Sequence, residues 1–240
     1  MRASNDELHK AMLNRMRNPA LGQQPINEYD LSRHKYLSLE DLITDPSWAT
    51  APLITLSNKE RVHFNALRSK FFAKSVGQLR FVWNVPLKKC SSALSEEQTS
   101  LLYQEHFLLK DYFVAGAPGY LLSNINPSLG LANGTPVVYY GLILNENEDK
   151  QCIIEQAYGA ARTTDIHLVY QPKYICVEVP SADVSKFAQM TLVPNKVVIP
   201  IPTAQSDKIW TLAIGECGVI KTETLRHDVD LKFAITSHKV

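Results

Sequence analysis

The stretch of residues 51–65 reads APLITLSNKERVHFN and combines the signals of a strand and of a helix start. Its first half, Leu53 to Leu56, is a short apolar run of the kind that forms a buried strand. Ser57 and Glu60 have the spacing of a capping box, which marks the start of a helix. The apolar series that follows predicts a helix from Lys59 to Ser75. A strand that feeds directly into a helix is the building unit of an α/β lobe.

Asn58 lies directly after this strand, at the carboxyl end where sheets of parallel strands place their ligands. The position supports two roles for its side chain. It could contact a bound ligand, or it could cap the helix, which is the more frequent role of asparagine at such a position.

Residues 231–240 read LKFAITSHKV and bring hydroxyl and cationic side chains to the end of a predicted strand, Phe233 to Thr236. Hydroxyls, amides and cations are the groups that bind phosphate. Thr236, His238 and Lys239 are therefore candidate contacts to a nucleic-acid backbone or to a triphosphate. Each could equally be an exposed polar residue.

Residues 124–135 read NINPSLGLANGT and separate two apolar runs, 119–125 and 136–144. Asn133 and Gly134 adopt positive φ at low steric cost, so the pattern predicts a chain reversal. We expect a structural turn here, and a DNA-facing loop is the alternative.

Near the amino end, residues 2–8 read RASNDEL. Ser4 and Glu7 again have capping-box spacing. Apolar residues share one face of the following stretch, which predicts a helix from Asn5 to Met16.

These four stretches, in this order, resemble motifs of the helicases of the Pif and Helitron type, in the five-prime-to-three-prime branch of superfamily 1. Residues 231–240 are similar to motif V, in which an Ala-x-Thr-x-His-Lys stretch continues into Gln-Gly. Residues 124–135 look like the Gly-Leu-x-Asn-Gly-Thr element. Residues 51–65 and 2–17 are similar to a strand, Asn turn and helix and to an Arg, acidic, Leu, Arg pattern of the second RecA-like lobe. Four collinear matches are much harder to obtain by chance than one.

The resemblance implies a fragment of an ATP-dependent DNA helicase, an enzyme that unwinds DNA and moves along a single strand. It implies ATP and Mg as cofactors of the intact protein and single-stranded DNA as its partner. Arg2 would be an arginine finger that points at the γ-phosphate. Asn58, Thr236, His238 and Lys239 would contact DNA or nucleotide. It also implies a nuclear protein of DNA repair or recombination.

The sequence lacks the groups that perform phosphoryl transfer. It contains no Gly-x-x-x-x-Gly-Lys-Ser/Thr run and no Gly-Lys pair, and no apolar strand ends in Asp-Glu. We therefore expect that this chain alone neither hydrolyses ATP nor binds ATP and Mg tightly. The expected context is a fragment, with the first RecA-like lobe before Met1 and the rest of motif V after Val240. Two alternatives stay open: an inactive module that binds single-stranded DNA or a protein, and an inactive gene remnant.

Helix signals dominate before Gly116, including a helix from Glu96 to Lys110 capped by Ser95, and short strands dominate after it. The expected fold class is α/β: a partial RecA-like parallel-sheet lobe with an inserted small β-barrel and a β-rich C-terminal half. The resemblance implies that the barrel is of the Src-homology type. The expected domains are residues 1–115 as the partial second lobe, 116–225 as the barrel region and 226–240 as the return to the lobe.

Composition adds limits on the class of protein. A net charge of +1 with 45% hydrophobic residues is typical of a globular chain and argues against a polybasic arm. The four cysteines are scattered, so we expect reduced thiols and no structural zinc. No secretory signal precedes residue 19, and the longest apolar run, 137–144, is too short to cross a bilayer of roughly 30 Å. These features favour an intracellular protein.

Overall fold

The computed structural model describes residues 40, 44, 51–88, 90, 93–159, 165–187, 193–205, 209–214 and 218–236. A boundary between compact units falls between Ala49 and Thr50, and every element below lies on its C-terminal side. The helix predicted from Asn5 to Met16 lies outside the described residues. In the part of the chain that is described, no helix is long and apolar enough to cross a membrane.

The strand and the helix predicted within residues 51–76 are confirmed, but the expectation of a buried strand is wrong, since Leu53 and Ile54 are 43% and 55% exposed and only Thr55 is buried. Strand β1 spans Leu53–Thr55 and helix α1 spans Asn58–Val76. Ser57 is the N-cap: its hydroxyl accepts from the Glu60 amide at 3.2 Å, and its own amide donates to the Glu60 carboxylate at 3.0 Å. These two bonds satisfy amides that have no partner within the helix. The helix ends at Gly77, whose φ of 65° suits glycine.

On the C-terminal side of Ala49, the other α-helices that the structure describes are α2 (Glu96–Glu105) and α3 (Lys150–Tyr158). The other strands, in chain order, are β2 (Arg80–Asn84), β3 (Leu87–Lys88), β4 (Lys110–Val114), β5 (Pro118–Leu121), β6 (Pro136–Ile143), β7 (Asp165–His167), β8 (Tyr174–Glu178), β9 (Val198–Gln205), β10 (Trp210–Ala213), β11 (Val219–His227), β12 (Val229–Leu231) and β13 (Ala234–Thr236).

Eight strands form one curled antiparallel sheet, in the order β10-β11-β9-β8-β6-β5-β12, with β3 also paired to β11. Strands β10 and β12 lie at the two ends of this path, so the described strands make a half-barrel. The prediction of a β-rich, curled sheet after Gly116 is confirmed. A closed barrel of the Src-homology type stays a prediction.

Parallel pairing, which the sequence predicted for a RecA-like lobe, occurs at two places. Strand β1 pairs with β13, and β2 pairs with β7. The two pairs belong to different sheets, because β2 also pairs antiparallel with β4 in a separate three-stranded sheet. The mixed α/β class is confirmed, but the described strands do not form one continuous parallel sheet.

Two sheets join strands from different predicted domains. Strand β3 pairs with β11, and β2 pairs with β7. In both cases one strand comes from residues 1–115 and the other from 116–225. The boundaries at 115 and 225 stay a prediction.

Helix α2 begins with the predicted capping box of Ser95 and Gln98, but it ends at Glu105 instead of Lys110. The reason is that Lys110 already belongs to β4, where it pairs with Asn84 of β2. Helix α3 was not predicted. Asp149 is its N-cap and accepts from the amides of Gln151 and Cys152, so the polar cluster before it starts a helix as well as a turn.

Two clusters of buried side chains form the core. The larger one lies between the sheets and α1, and its largest fully buried members are Trp83, Phe233, Leu121 and Ile166. The smaller one lies under α2 and contains Leu102, Leu109, Leu212, Ile214 and Ile220. Phe233 belongs to the larger cluster and its ring lies 5.4 Å from that of Phe72 on α1, which fixes the chain immediately before β13.

Candidate functional site

The predicted site residues divide into two groups. Arg2, His238 and Lys239 lie outside the described residues. Asn58, Thr236, Asn133 and Gly134 lie within them.

Asn58 and Thr236 meet at one edge of the parallel pair. In the register of β1 with β13, Leu53 lies opposite Ala234 and Thr55 lies opposite Thr236. Because the two strands are parallel, both end at the same side: β1 ends at Thr55, two residues before Ser57, and β13 ends at Thr236. We call this group the strand-end edge: Thr55, Ser57, Asn58 and Thr236. Side chains at such edges are where α/β sheets bind ligands.

The two threonines of the strand-end edge lie inside the fold. Thr55 is 4% exposed and Thr236 is 1% exposed. The Thr55 hydroxyl donates to the Ile235 carbonyl at 3.2 Å, and so ties the two strands together. In this conformation the Thr236 hydroxyl is shielded from solvent. Ligand contact by Thr236 stays a prediction.

Asn65 on α1 holds β13 in place. Its Nδ2 donates to the Leu231 carbonyl at 2.9 Å and to the Ala234 carbonyl at 3.4 Å, and its Oδ1 accepts from the Ala234 amide at 2.7 Å. The side chain is 3% exposed. A buried amide with both ends bonded to the backbone fixes the position of a strand strongly. The sequence did not reveal this contact, because the partners are 166 and 169 residues apart.

The expectation that Asn58 caps α1 is wrong, because Ser57 is the cap and Asn58 is the first residue of the helix. Its Oδ1 instead accepts from Nε of Arg61 at 3.4 Å. This contact turns the half-buried Asn58 towards a cleft beside the strand-end edge.

The cleft has a volume of about 330 Å³. We call it the paired-charge cleft, and the residues of its lining that matter here are Asn58, Arg61, Asp111, Tyr120, Arg226 and Asp230. Arg61 forms an ion pair with Asp230, and Nη1 of Arg226 lies 3.3 Å from the Asp111 carboxylate. The Arg226 guanidinium also lies over the Trp210 ring, 6.0 Å from its centroid.

Electrostatics at the cleft follow from these pairs. The neighbouring Asp230 carboxylate raises the pKa of Arg61. Burial raises the pKa of Asp111, and the charge of Arg226 offsets part of that rise. Burial also raises the pKa of the Tyr120 hydroxyl to about 12. Tyr120 is therefore a neutral hydrogen-bonding group at physiological pH.

The cleft is not built to attract an anion. Its two arginines face three carboxylates, since Asp228 also lies in its lining. The paired charges connect α1, β4, β11 and β12 instead. We conclude that they position the strand-end edge relative to the half-barrel.

Hydrogen bonds within the loop at residues 124–135 and to the preceding strand hold this loop in place. The Asn133 amide donates to the Asn124 side chain at 2.9 Å, and the Gly134 amide donates to the Leu121 carbonyl at 2.8 Å. Gly134 has a φ of 85°, whereas Asn133 does not have positive φ. Asn133 is exposed. Whether the loop also faces DNA stays a prediction.

His227, at the end of β11, is a buried histidine that the sequence did not single out. It is 2% exposed, and its Nε2 donates to the Pro172 carbonyl at 3.1 Å. Its ring meets the Trp83 ring edge to face, with centroids 6.2 Å apart. Burial lowers the pKa of His227 to about 4 from its ordinary value of 6.5, against the smaller effect of the backbone hydrogen bond.

This burial predicts loss of stability in mild acid. The folded state favours neutral His227, so its contribution is complete above pH 6.5 and is lost as the pH falls towards about 4. We expect wild type to lose about 1.4 kcal/mol per pH unit relative to His227→Gln across this window. Urea unfolding at several pH values measures the difference. The surface variant His167→Gln should keep the wild-type slope, and equal slopes for wild type and His227→Gln would contradict the prediction.

Sequence reasoning missed the paired-charge cleft entirely. Its charges come from four separate elements, and the partners are 169 and 115 residues apart. The one local signal was the spacing of Asn58 and Arg61, which places both side chains on neighbouring positions of a helix.

No model of a known protein family matches the chain, and no curated protein sequence matches it. Solved structures do. The Pif1 helicase from Candida albicans has 16% identity and a TM-score of 0.47, over 100% of this chain and 46% of that one. Unliganded Pif1 from Bacteroides sp has 14% identity and a TM-score of 0.44, over 98% and 40%.

A third solved structure is the Pif1 helicase from Bacteroides in complex with ADP-AlF3 and ssDNA. It has 15% identity and a TM-score of 0.38, over 98% of this chain and 40% of that one. The chain thus spans less than half the length of the helicases it matches. At these values the likeness is one of partial fold, and the activity, substrates and partners of this chain are proposals.

Proposed function

We propose that this chain supplies part of the second RecA-like lobe, with its β-rich insertion, of an ATP-dependent DNA helicase of the Pif and Helitron type. One observation carries the proposal. Residues 51–65 and residues 231–240 each resemble a motif of that lobe. In the structure they contain β1 and β13, which pair in parallel with Thr55 opposite Thr236. Motifs of a nucleotide and strand site must converge at one sheet edge in order to act together.

The proposed division of labour follows from the residues that the sequence lacks. A first lobe with a phosphate-binding loop and an acidic magnesium ligand would hold ATP and Mg. This chain would close on that lobe and contact the single strand through Asn58, Thr236, His238 and Lys239. Hydroxyls, amides and cations of this kind contact phosphates without reading base sequence. The proposed setting is nuclear DNA repair or recombination.

Arg2 gives the proposal a direct test. We expect the chain alone to show no ATP hydrolysis, and a mixture with a separately expressed first lobe to show DNA-stimulated hydrolysis. Arg2→Ala should lower that rate at least about 100-fold, because arginine fingers stabilise the charge of the transition state. Arg15→Ala, which removes a charge from the same segment, should leave the rate unchanged. Equal rates for wild type and Arg2→Ala would remove Arg2 from the mechanism.

A binding module without turnover is the second candidate, and the lack of a phosphate loop in this sequence favours it. Salt-dependent binding of single-stranded DNA, with no ATP hydrolysis in the mixture, would select it. The coding sequence on both sides of the chain provides a separate check. A Gly-Lys-Thr loop upstream and Gln-Gly directly after Val240 would establish the helicase reading.

A further inference from the structure

Helix α1 is a strongly basic segment of a nearly neutral protein. Its 19 residues contain five lysines and arginines and one glutamate, a charge of +4, whereas the whole chain has a net charge of +1. The single Glu60 folds back to the Ser57 amide in the capping box. Arg61 forms an ion pair with Asp230.

The exposed face of α1 separates cations from aromatic rings. At about 100° per residue, the cations Lys59, Lys70 and Lys74 fall within an arc of about 60°, and the His63 ring lies in the same arc. Phe64 and Phe71 lie about 100° further round the helix, with Leu67 between the two groups. All seven side chains are exposed, and Phe71 is exposed to 68%. The opposite face holds the buried residues, among them Val62, Asn65 and Ala73.

An apolar groove of about 600 Å³ continues the aromatic side at the start of α1. Phe64, His63 and Phe107 line it, together with the buried side chain of Leu212. Glu60, whose carboxylate accepts from the Ser57 amide, and Glu105 also border the groove, so the cationic side of the proposed surface is the lysine row and not the groove. The rings of His63 and Phe107 meet edge to face with centroids 5.1 Å apart, and Phe107 is 45% exposed. The groove therefore offers aromatic surface next to Lys59 and Asn58, close to the strand-end edge.

We propose that the exposed face of α1 and this groove form a binding track for single-stranded nucleic acid. Phosphates lie along Lys59, Lys70 and Lys74, and bases stack on Phe64, Phe71 and Phe107. The track is roughly 22 Å long from Lys59 to Lys74. It rests on the proposed function and extends it, because it adds contacts outside the strand-end edge.

The charge of the face identifies the occupant. An apolar helix face that receives another protein is depleted of lysine at its centre. Here three lysines run the length of the face beside the rings, which is the pairing of backbone cations and base-stacking aromatics found in single-strand binders. A single strand has phosphates that pair with the lysines and bases that stack on the aromatic rings. An apolar protein surface would contact the aromatic rings alone.

The track is tested by measuring the affinity of the chain for a fluorescein-labelled oligothymidine of about 20 nucleotides. Fluorescence anisotropy gives this affinity at salt concentrations of about 50–200 mM. Lys70→Gln with Lys74→Gln should weaken binding at least about fivefold and flatten the salt slope by about 1.4. Phe71→Ala should weaken binding about tenfold, because one stacked base is lost. Phe71→Ala should weaken binding of the duplex form of this oligonucleotide less than binding of the single strand.

Matched controls keep the test specific to α1. Lys150→Gln with Lys186→Gln removes the same charge from exposed positions elsewhere. Tyr158→Ala removes an aromatic side chain that is 78% exposed on α3. Both controls should bind like wild type. Equal losses in the controls and in the α1 variants would overturn the track.

The outcomes separate this inference from the proposed function. If His238→Ala and Lys239→Ala weaken binding while the α1 variants do not, the track fails and the helicase lobe stands. If the α1 variants alone weaken binding, the track is supported and the contacts proposed for His238 and Lys239 fail. No binding by the wild type overturns both. If Phe71→Ala dissociates a dimer of the chain in sedimentation and leaves binding unchanged, the face is a self-association surface and the track is wrong.

Discussion

Asn65→Ala is expected to lower the free energy of unfolding by roughly 4 kcal/mol. The side chain makes three hydrogen bonds to Leu231 and Ala234, and it is almost fully buried. Alanine would leave the Ala234 amide and the Leu231 carbonyl without this partner in the protein interior. It would also release β13 from α1, so the strand-end edge should lose its geometry together with its stability.

Urea unfolding followed by far-ultraviolet circular dichroism measures the effect of Asn65→Ala. Asn84→Ala, at an exposed position of β2, is the matched control and should change stability by less than about 0.5 kcal/mol. If Asn65→Ala unfolds at the same urea concentration as wild type, the prediction is wrong and β13 is held by its pairing with β1 alone.

Arg61→Met is expected to lower the free energy of unfolding by about 3 kcal/mol. The variant leaves Asp230 without its cation and in the field of Asp111, which carries the same charge. Breaking one side of a buried pair costs more than removing both sides. The Arg61 and Asp230 side chains are 13% and 28% exposed, so solvent screens part of the cost.

A double variant isolates the pair. Arg61→Met with Asp230→Asn should recover at least half of the loss, since no unpaired charge remains and the asparagine Oδ1 can still accept from the Leu231 amide. Lys173→Met breaks the exposed pair with Glu146 and should leave the urea midpoint unchanged. If the double variant is as unstable as Arg61→Met, the loss comes from packing of the arginine stem and not from charge.

Local signals in the sequence predicted the local structure well. The capping boxes at Ser57 and Ser95 located the starts of α1 and α2 because each is formed by residues three positions apart. Helix α3 was missed because Asp149 lies in a polar cluster that also suits a turn. The apolar runs predict strands from Val197 to Ile201 and from Val219 to Thr222, whereas β9 and β11 continue to Gln205 and His227 because they pair with each other there.

The candidate site was predictable in outline only. The motif resemblance placed Asn58 and Thr236 in one lobe. In the structure β1, which precedes Asn58, pairs with β13, which contains Thr236. Asn65, Arg61 and Asp230 could not be assigned from sequence, because their partners lie more than 160 residues away and no periodic pattern joins them. The two-faced surface of α1 was readable from spacing, but its exposure was not.

The pairing of β1 with β13 delays the folding of β1 during translation. Thr55 bonds a residue 180 positions later, so the ribosome must synthesise the whole half-barrel before this pair can close. At about 5–20 residues per second the delay is roughly 10–40 seconds. Throughout that interval β1 lacks the strand that it pairs with, and we expect a chaperone to bind the apolar residues Leu53 and Ile54 during translation.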